Sequence, residues 1–466
     1  MRASLFLTAS STLLLATGCA LHNVNRDIMP AVPVQASYPA LETITGRTET
    51  GDSQIGRAWW LELNRPALNA LIVQSFKGNQ DIAAAVASIR RARALQVQTR
   101  SGLFPKVNAE GGISDSREGS DDQHSTREIG VALSWEIDLF GRIDAAARAD
   151  ELETIAREED LNALRLSLSA EIANAYVGAI AASNKLQLLN KQLETDQELL
   201  TLIELRYESG VGTIVEVLQQ KSQVAESKSL IPPAEADWRV YENRLDVLTG
   251  KSPDGHNRIT PKEDLSFVSG LPKIGVPADL LMSRPDLRAA RAELVAADMD
   301  IGAAIAERLP KITLSGSYLY SDTPAFSGPV GTVVSAFVQP LLDWGERKAE
   351  VERNRALYSE RLAMFTQLFL EATEEVESAL YQEQKQREYI TLLDQRRIIL
   401  QHTVEETEAL YKQGVDDYLP VLNALQELRG VERDLVTERL NLINFRIALH
   451  KAIGGSIQRQ PQVNQG

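Results

Sequence analysis

From Gly141 to Gly210 the chain has no proline, and Gly178 is the only interior glycine. Leu152, Ile155, Leu161, Leu164, Leu168, Ile172, Ala175, Tyr176 and Ala179 recur at three- and four-residue spacing, which predicts an amphipathic helix. At 1.5 Å per residue, roughly 70 residues make a rod about 100 Å long. That is several times the mean helix length of about 11 residues. A second rod, equally free of proline, runs from Gly345 to Gly414. Gly141 aligns with Gly345, Tyr207 with Tyr411 and Gly210 with Gly414, each 204 residues apart. Outside the rods, Pro105-Lys106 matches Pro310-Lys311, Asp81-Ile82 matches Asp286-Leu287, and Leu248-Thr249-Gly250 matches Ala452-Ile453-Gly454. The matched residues are mostly breakers and caps, so the pattern predicts two tandem structural repeats.

Between the helical stretches the period changes from 3.6 to 2. In Glu128–Leu139 the apolar residues are Ile129, Val131, Leu133, Trp135, Ile137 and Leu139, alternating with small or polar ones. This is a strand with one apolar face. Strands are predicted at about 106–114 and 128–139, and again at about 311–320 and 331–339. Polar loops are predicted at 114–126 and 321–330. Each repeat then reads helix, strand, loop, strand, long helix, tip and returning helix. The returning helices are 213–230, broken by Pro232-Pro233, and about 416–452, beginning near Pro420. The organisation expected is a signal segment 1–18, an arm 19–66 anchored by Trp59, Trp60 and Leu63, and a first repeat 67–255. A proline-rich linker 256–283, a second repeat 284–455 and a polar tail 456–466 follow. The fold class is mainly α with a small β part.

The net charge of −15 disfavours nucleic acid as a partner. Five scattered histidines, at 22, 124, 256, 402 and 450, show no ligand spacing, so neither a metal nor a cofactor is expected. The basic start at Arg2, the apolar runs Leu5–Leu7 and Leu13–Leu15, and the small residues before Cys19 describe a secretory signal. Cys19 is the only cysteine, so no intrachain disulfide can form. Its place after Gly18 resembles a bacterial lipobox, which implies a covalent lipid on Cys19. The alternative is an ordinary signal peptide beside a stray cysteine.

Strands of 9 to 12 residues suit a tilted transmembrane strand. Four of them cannot satisfy their edges in lipid, so a barrel would have to close between chains. Two chains would supply eight strands and three would supply twelve, and only the larger barrel leaves an open pore. Trp135, Tyr318 and Tyr320 are candidates for the aromatic girdle. The competing picture is a set of soluble hairpins capping a helical bundle.

At this point the residues resemble a family: the bacterial outer membrane efflux proteins, the TolC-like group, especially its acylated OprM/NodT-like branch. The resemblance rests on Phe104-Pro105-Lys106, Trp135–Arg142, Arg206–Gly210, Arg284–Leu287, Leu309–Lys311, Gln339–Gly345 and Tyr411–Val415. It implies a homotrimer with a periplasmic α-barrel continuous with a 12-stranded β-barrel, four strands per chain. It also implies a place in the outer membrane, docked to a periplasmic adaptor and an inner-membrane resistance-nodulation-division pump. The tips would hold the gate, with Glu216 and Tyr411 matching family gate positions. Asp416 stands where the family has arginine, followed by Asp417, and Pro420 and Asn423 stand where aspartates are frequent. Three copies of Asp416 and Asp417 would form an acidic ring that attracts cations. As helix-start carboxylates they would instead answer the macrodipole. Gly210, Val211, Gly212, Thr213, Gly414 and Val415 match the adaptor-docking tips.

The function implied is a passive export duct for small molecules such as drugs, with a metal-ion or protein secretion duct as alternatives. A non-channel coiled-coil lipoprotein would explain the rods and the anchor but not four membrane-length strands. No nucleophile elbow, phosphate loop or HExxH motif supports an enzyme.

Overall fold

The computed structural model describes residues 22–45, 58–118, 122–259, 264–265, 270–323 and 326–455. The signal segment, Cys19 and the 456–466 tail lie outside them, as does part of the linker. The chain divides into two compact units, one of residues 1–29, 89–157 and 290–365, the other of 30–88, 158–289 and 366–466.

In chain order the helices are α1 (Pro39–Thr45), α2 (Pro66–Gly78), α3 (Gln80–Arg100), α4 (Arg142–Glu208), α5 (Ile214–Ser229), α6 (Ile231–Leu248), α7 (Leu280–Ser283), α8 (Pro285–Ala306), α9 (Glu346–Lys412) and α10 (Tyr418–Ala452). The two rods, α4 and α9, are 67 residues each. The first returning helix, α5, ends at Ser229, at the break expected before Pro232 and Pro233. They open α6, where a first-turn N–H has no helical acceptor to lose.

The first unit holds one antiparallel sheet of β1 (Lys106–Glu118), β2 (Asp122–Ile137), β3 (Lys311–Thr323) and β4 (Phe326–Val338), in the order β1-β2-β3-β4. Its register gathers the period-two pattern. Val131 lies opposite Ala109 on one side and Tyr318 on the other, and Ile137 opposite Ile312. Ile312 in turn faces Phe337. Alternation therefore puts Val107, Ala109, Ile113, the Ile129–Ile137 series, Ile312, Leu314, Tyr318, Tyr320, Val333 and Phe337 on one face, while Leu319, Val330, Val334 and Val338 fall on the other. Asn108, Glu110, Glu128, Ser134, Glu136, Ser315, Ser317 and Thr332 share the other. The strands run further than the apolar pattern does, and the expected loops are largely strand. Backbone pairing is indifferent to side-chain polarity, so each hairpin zips to its turn. Pro329 sits within β4, which is possible because β4 is an edge strand and has an unpaired side for a missing donor. In the same unit the arm docks on α8, where Asp298 accepts from His22 Nε2 at 2.6 Å and from the Asn25 N–H at 2.8 Å.

The second unit is a helical core. Every residue of α4 from Ala175 to Ser183 is buried, so small and large residues cover the whole circumference there. Gly178 explains itself in this packing: a methyl in its place would fall 2.4 Å from the Tyr241 ring of α6. Trp59 and Trp60 are buried, and Trp59 Nε1 donates to Ser169 Oγ at 2.9 Å. The Trp59 ring stacks on His450, with centroids 5.3 Å apart.

His450 is 2% exposed, and burial, helped by Arg446, lowers its pKa to about 4. Glu383 opposes that shift, and Glu62 stands 3.6 Å from its Nε2. The folded value lies below the unfolded one of about 6.5, so this contribution to stability is complete above pH 6.5 and is lost as pH falls toward 4. We expect the thermal midpoint to fall across that window and the acid slope to flatten in His450→Gln, as read by circular dichroism at a series of pH values.

Candidate gate at the helical tips

Each rod in the second unit ends in the same turn. Gly210 and Gly414 both take φ of 74°, the left-handed conformation that glycine reaches without a steric penalty. The N–H of Gly210 donates to Tyr207 O and that of Val211 to Arg206 O, both at 3.0 Å. Gly414 donates to Tyr411 O and Val415 to Leu410 O, again at 3.0 Å. These are Schellman closures, which satisfy the last carbonyls of a helix and reverse the chain. Thr213 then caps α5, its hydroxyl accepting from the Glu216 N–H at 3.3 Å and donating to Glu216 Oε1 at 3.2 Å.

The other carboxylate oxygen of Glu216 receives Tyr411 Oη at 2.9 Å, tying the start of α5 to the end of α9. The Arg206 guanidinium lies over the Tyr411 ring, 4.4 Å from its centroid. Tyr411 is 3% exposed. Burial first, then the bond and charge of Glu216, push its pKa up to about 12, so Tyr411 keeps its proton at any physiological pH.

Behind this link lies a buried polar cluster. Tyr418 packs on Tyr411 with ring centroids 5.6 Å apart, and its hydroxyl donates to Gln220 Oε1. Gln220 Nε2 donates to Asp196 O at 2.8 Å, and Ser227 Oγ to Asp196 Oδ2 at 2.6 Å. The Arg429 guanidinium meets Asp196 Oδ1 at 2.5 Å. Both Asp196 and Arg429 are buried, so α4, α5 and α10 converge on one charge pair. Apolar surface surrounds it: Ile203, Val217, Val404, Val421, Leu422 and Leu425.

The structure thus brings Glu216 and Tyr411 together but leaves the other gate candidates in solvent. Asp417 is the N-cap residue of α10 with no side-chain cap bond, Asp416 Oδ1 accepts from the Asp417 N–H at 2.9 Å, and Asn423 is exposed. Val211 and Val415 are 67% and 70% exposed at the two turns. In the first unit, Tyr318 and Tyr320 are exposed on the apolar face of the sheet, while the half-buried Trp135 donates its indole N–H to Leu103 O at 3.0 Å.

Sequence reading missed Arg206, Asp196, Gln220, Tyr418 and Arg429. A signal existed for two of them. Asp196 falls midway in the seven-residue series Leu189, Asp196, Ile203, and Arg429 continues the spacing of Leu422 and Leu425. A charge on an apolar stripe marks a buried pair.

Residues 71–251 and 276–455 each match the profile of the outer membrane efflux protein family. The chain belongs to that family. Its members are transport proteins, not enzymes. The pyoverdine export outer membrane protein OpmQ of Pseudomonas aeruginosa is 28% identical over 471 residues, covering 98% of each chain. The cation efflux system protein CusC of Escherichia coli O6:H1 is 26% identical over 450 residues, covering 95% of this chain and 97% of its own. A solved structure of the outer-membrane channel OprN matches with a TM-score of 0.85 at 26% identity, covering 94% of this chain and 99% of that one. Among the described residues no helix is long and apolar enough to cross a membrane.

Removing Arg429 would strand the buried Asp196 charge. We expect Arg429→Ala to cost about 3–5 kcal/mol, against less than that for Tyr411→Phe, which loses one charge-assisted bond worth about 1.5–3 kcal/mol. Amide hydrogen exchange in α5 and the first turns of α10 reads both.

Proposed function

We propose that the chain is one third of an outer membrane exit duct: a homotrimer whose strands close a 12-stranded barrel and whose rods line a periplasmic α-barrel. The observation that carries this reading is the sheet. Its register collects one apolar face, and both of its outer strands, β1 and β4, have an edge open to pairing. In hydrocarbon such edges are tolerated only when the barrel closes. A tripartite pump with a periplasmic adaptor and an inner-membrane partner of the resistance-nodulation-division type supplies the energy, and the duct itself is passive.

The tips are the gate. The bond from Tyr411 to Glu216 and the cluster behind it hold each tip as one body, while Asp416, Asp417 and Asn423 face the aperture. Gly210, Val211, Gly212, Thr213, Gly414 and Val415 present the apolar rim on which the adaptor seats. Cys19 carries a covalent lipid that anchors the N-terminus in the outer membrane. The cargo is a small molecule. Relatives whose names specify pyoverdine, toluene or cations show how widely cargo differs across the family. A metal-ion or protein-secretion duct is the alternative, and the cation-attracting Asp416 and Asp417 favour the metal-ion version of it.

Three outcomes test this. Reconstituted in planar bilayers, the chain conducts ions, and complete absence of conductance would refute the duct. Asp416→Asn with Asp417→Asn lowers the cation-over-anion permeability ratio severalfold, whereas an unchanged ratio would place both carboxylates away from the aperture. Cells lacking the gene become more susceptible to at least one agent in a panel of antibiotics, dyes, solvents and metals, and an unaltered panel would count against efflux.

A further inference from the structure

We propose that the buried Asp196–Arg429 pair is a positioning pair for the gate, acting from about 20 Å along the rod through the side-chain amide of Gln220. Asp196 fixes which way that amide points, and the amide fixes the tyrosines of the tip. The inference rests on the reading of the tips as a gate and deepens it by naming what holds the tip link in place.

The repeat supplies the comparison. At the offset of 204 residues, Asp196 corresponds to Leu400, Gln220 to Ala424, Ser227 to Val431 and Arg429 to Ala225. That offset holds on both sides of the stretch, from Gly141 with Gly345 to Gly250 with Gly454, all four at left-handed φ. Between α9 and α10, Leu400 packs against a buried cluster of Leu393, Val431 and Leu435. Between α4 and α5 the places of Leu400 and Val431 hold Asp196 and Ser227, joined by the 2.6 Å bond from Ser227 Oγ. One contact is thus built apolar in one repeat and polar in the other. A returning helix packs on its rod without charge at this level, and apolar replacements of a buried ion pair are often neutral or stabilising. Stability alone gives no reason for the pair.

Direction does. Gln220 Nε2 donates to Asp196 twice, at the backbone O at 2.8 Å and at Oδ1 at 3.3 Å. The amide is thereby turned with Oε1 toward Tyr418, whose hydroxyl donates to it. The reverse orientation would set Oε1 against two acceptor oxygens of Asp196. Arg429 keeps that acceptor in place: its guanidinium meets Asp196 Oδ1 at 2.5 Å, and neither terminal nitrogen has a further acceptor among the described residues. Tyr418 then packs on Tyr411, which donates to Glu216. The first tip shows what happens without such a line. Tyr207 and Ile214, the counterparts of Tyr411 and Tyr418, are 45% and 49% exposed, whereas Tyr411 and Tyr418 are buried.

Two uncharged replacements of the pair separate positioning from packing. Asp196→Leu with Arg429→Met removes the acceptor that orients Gln220, and Asp196→Asn with Arg429→Gln keeps one. The full-length variants are recorded in planar bilayers, and the thermal midpoint of each preparation is read by circular dichroism. The Leu–Met variant is expected to hold its midpoint yet conduct for a fraction of time at least about fivefold above the native protein, the worth of one buried hydrogen bond. The Asn–Gln variant is expected to conduct as the native protein does. Gln220→Met, with the charge pair intact, is expected to match the Leu–Met variant, and it decides the question should that variant not fold. Equal conduction by the Leu–Met and Asn–Gln variants, or native conduction by Gln220→Met, overturns the positioning role. In that event Tyr411→Phe tells the two readings apart: raised conduction leaves the gate standing, and native conduction overturns the gate as well.

Discussion

A sheet edge in hydrocarbon is the constraint on which the rest of this structure depends. Every unpaired N–H or C=O there costs several kcal/mol, and lipid offers no replacement partner. The sheet pairs its strands along three seams and leaves one edge each of β1 and β4 open. One apolar face without closure would be a liability, prone to pairing with any strand it meets. With closure, the same alternation gives lipid an apolar wall and the lumen a polar one carrying Asn108, Glu110, Ser134, Ser315 and Thr332.

The second unit uses the opposite device. Where the sheet meets its needs by backbone pairing, the tips use buried side-chain polarity: Asp196 is reached by Arg429, Gln220 and Ser227, and Tyr418 extends the chain of bonds to Tyr411 and Glu216. Such a cluster contributes little net stability compared with an apolar core of equal volume, yet it fixes geometry, since loss of any member leaves a buried group unsatisfied. A gate benefits from that trade. On the proposed reading of the tips as a gate, the closed arrangement would rest on a few directional bonds at the ends of two rods, away from the packed alanines and isoleucines of α4.

Much of this was legible in the residues. The rods announced themselves by an unbroken helical period bounded by glycines, and two of these, Gly210 and Gly414, sit at the left-handed closures of the tips. The one-sided strands were readable from Ile129 to Ile137. Their ends were not, because 114–126 is polar and a backbone ladder does not depend on side-chain hydrophobicity. Pro232-Pro233 marked the end of α5 correctly, but not that a new helix starts at once, because proline stops a helix from its interior yet suits a first turn. Of the tip residues, Glu216 and Tyr411 were reachable through family likeness, and the contact between them is direct. Asp196 and Arg429 are far apart in sequence, and only their places on apolar stripes hinted that they were buried.

On the proposed reading, one chain holds part of a pore wall whose remaining seams are supplied by copies of itself. Native mass spectrometry of the protein released from outer membranes in a mild detergent tests it most directly. A mass of three chains is expected, falling to one only when the sheet's β signal is lost. A single chain that retains its full β signal in detergent would contradict it, because the edges of β1 and β4 would then be stable without a partner.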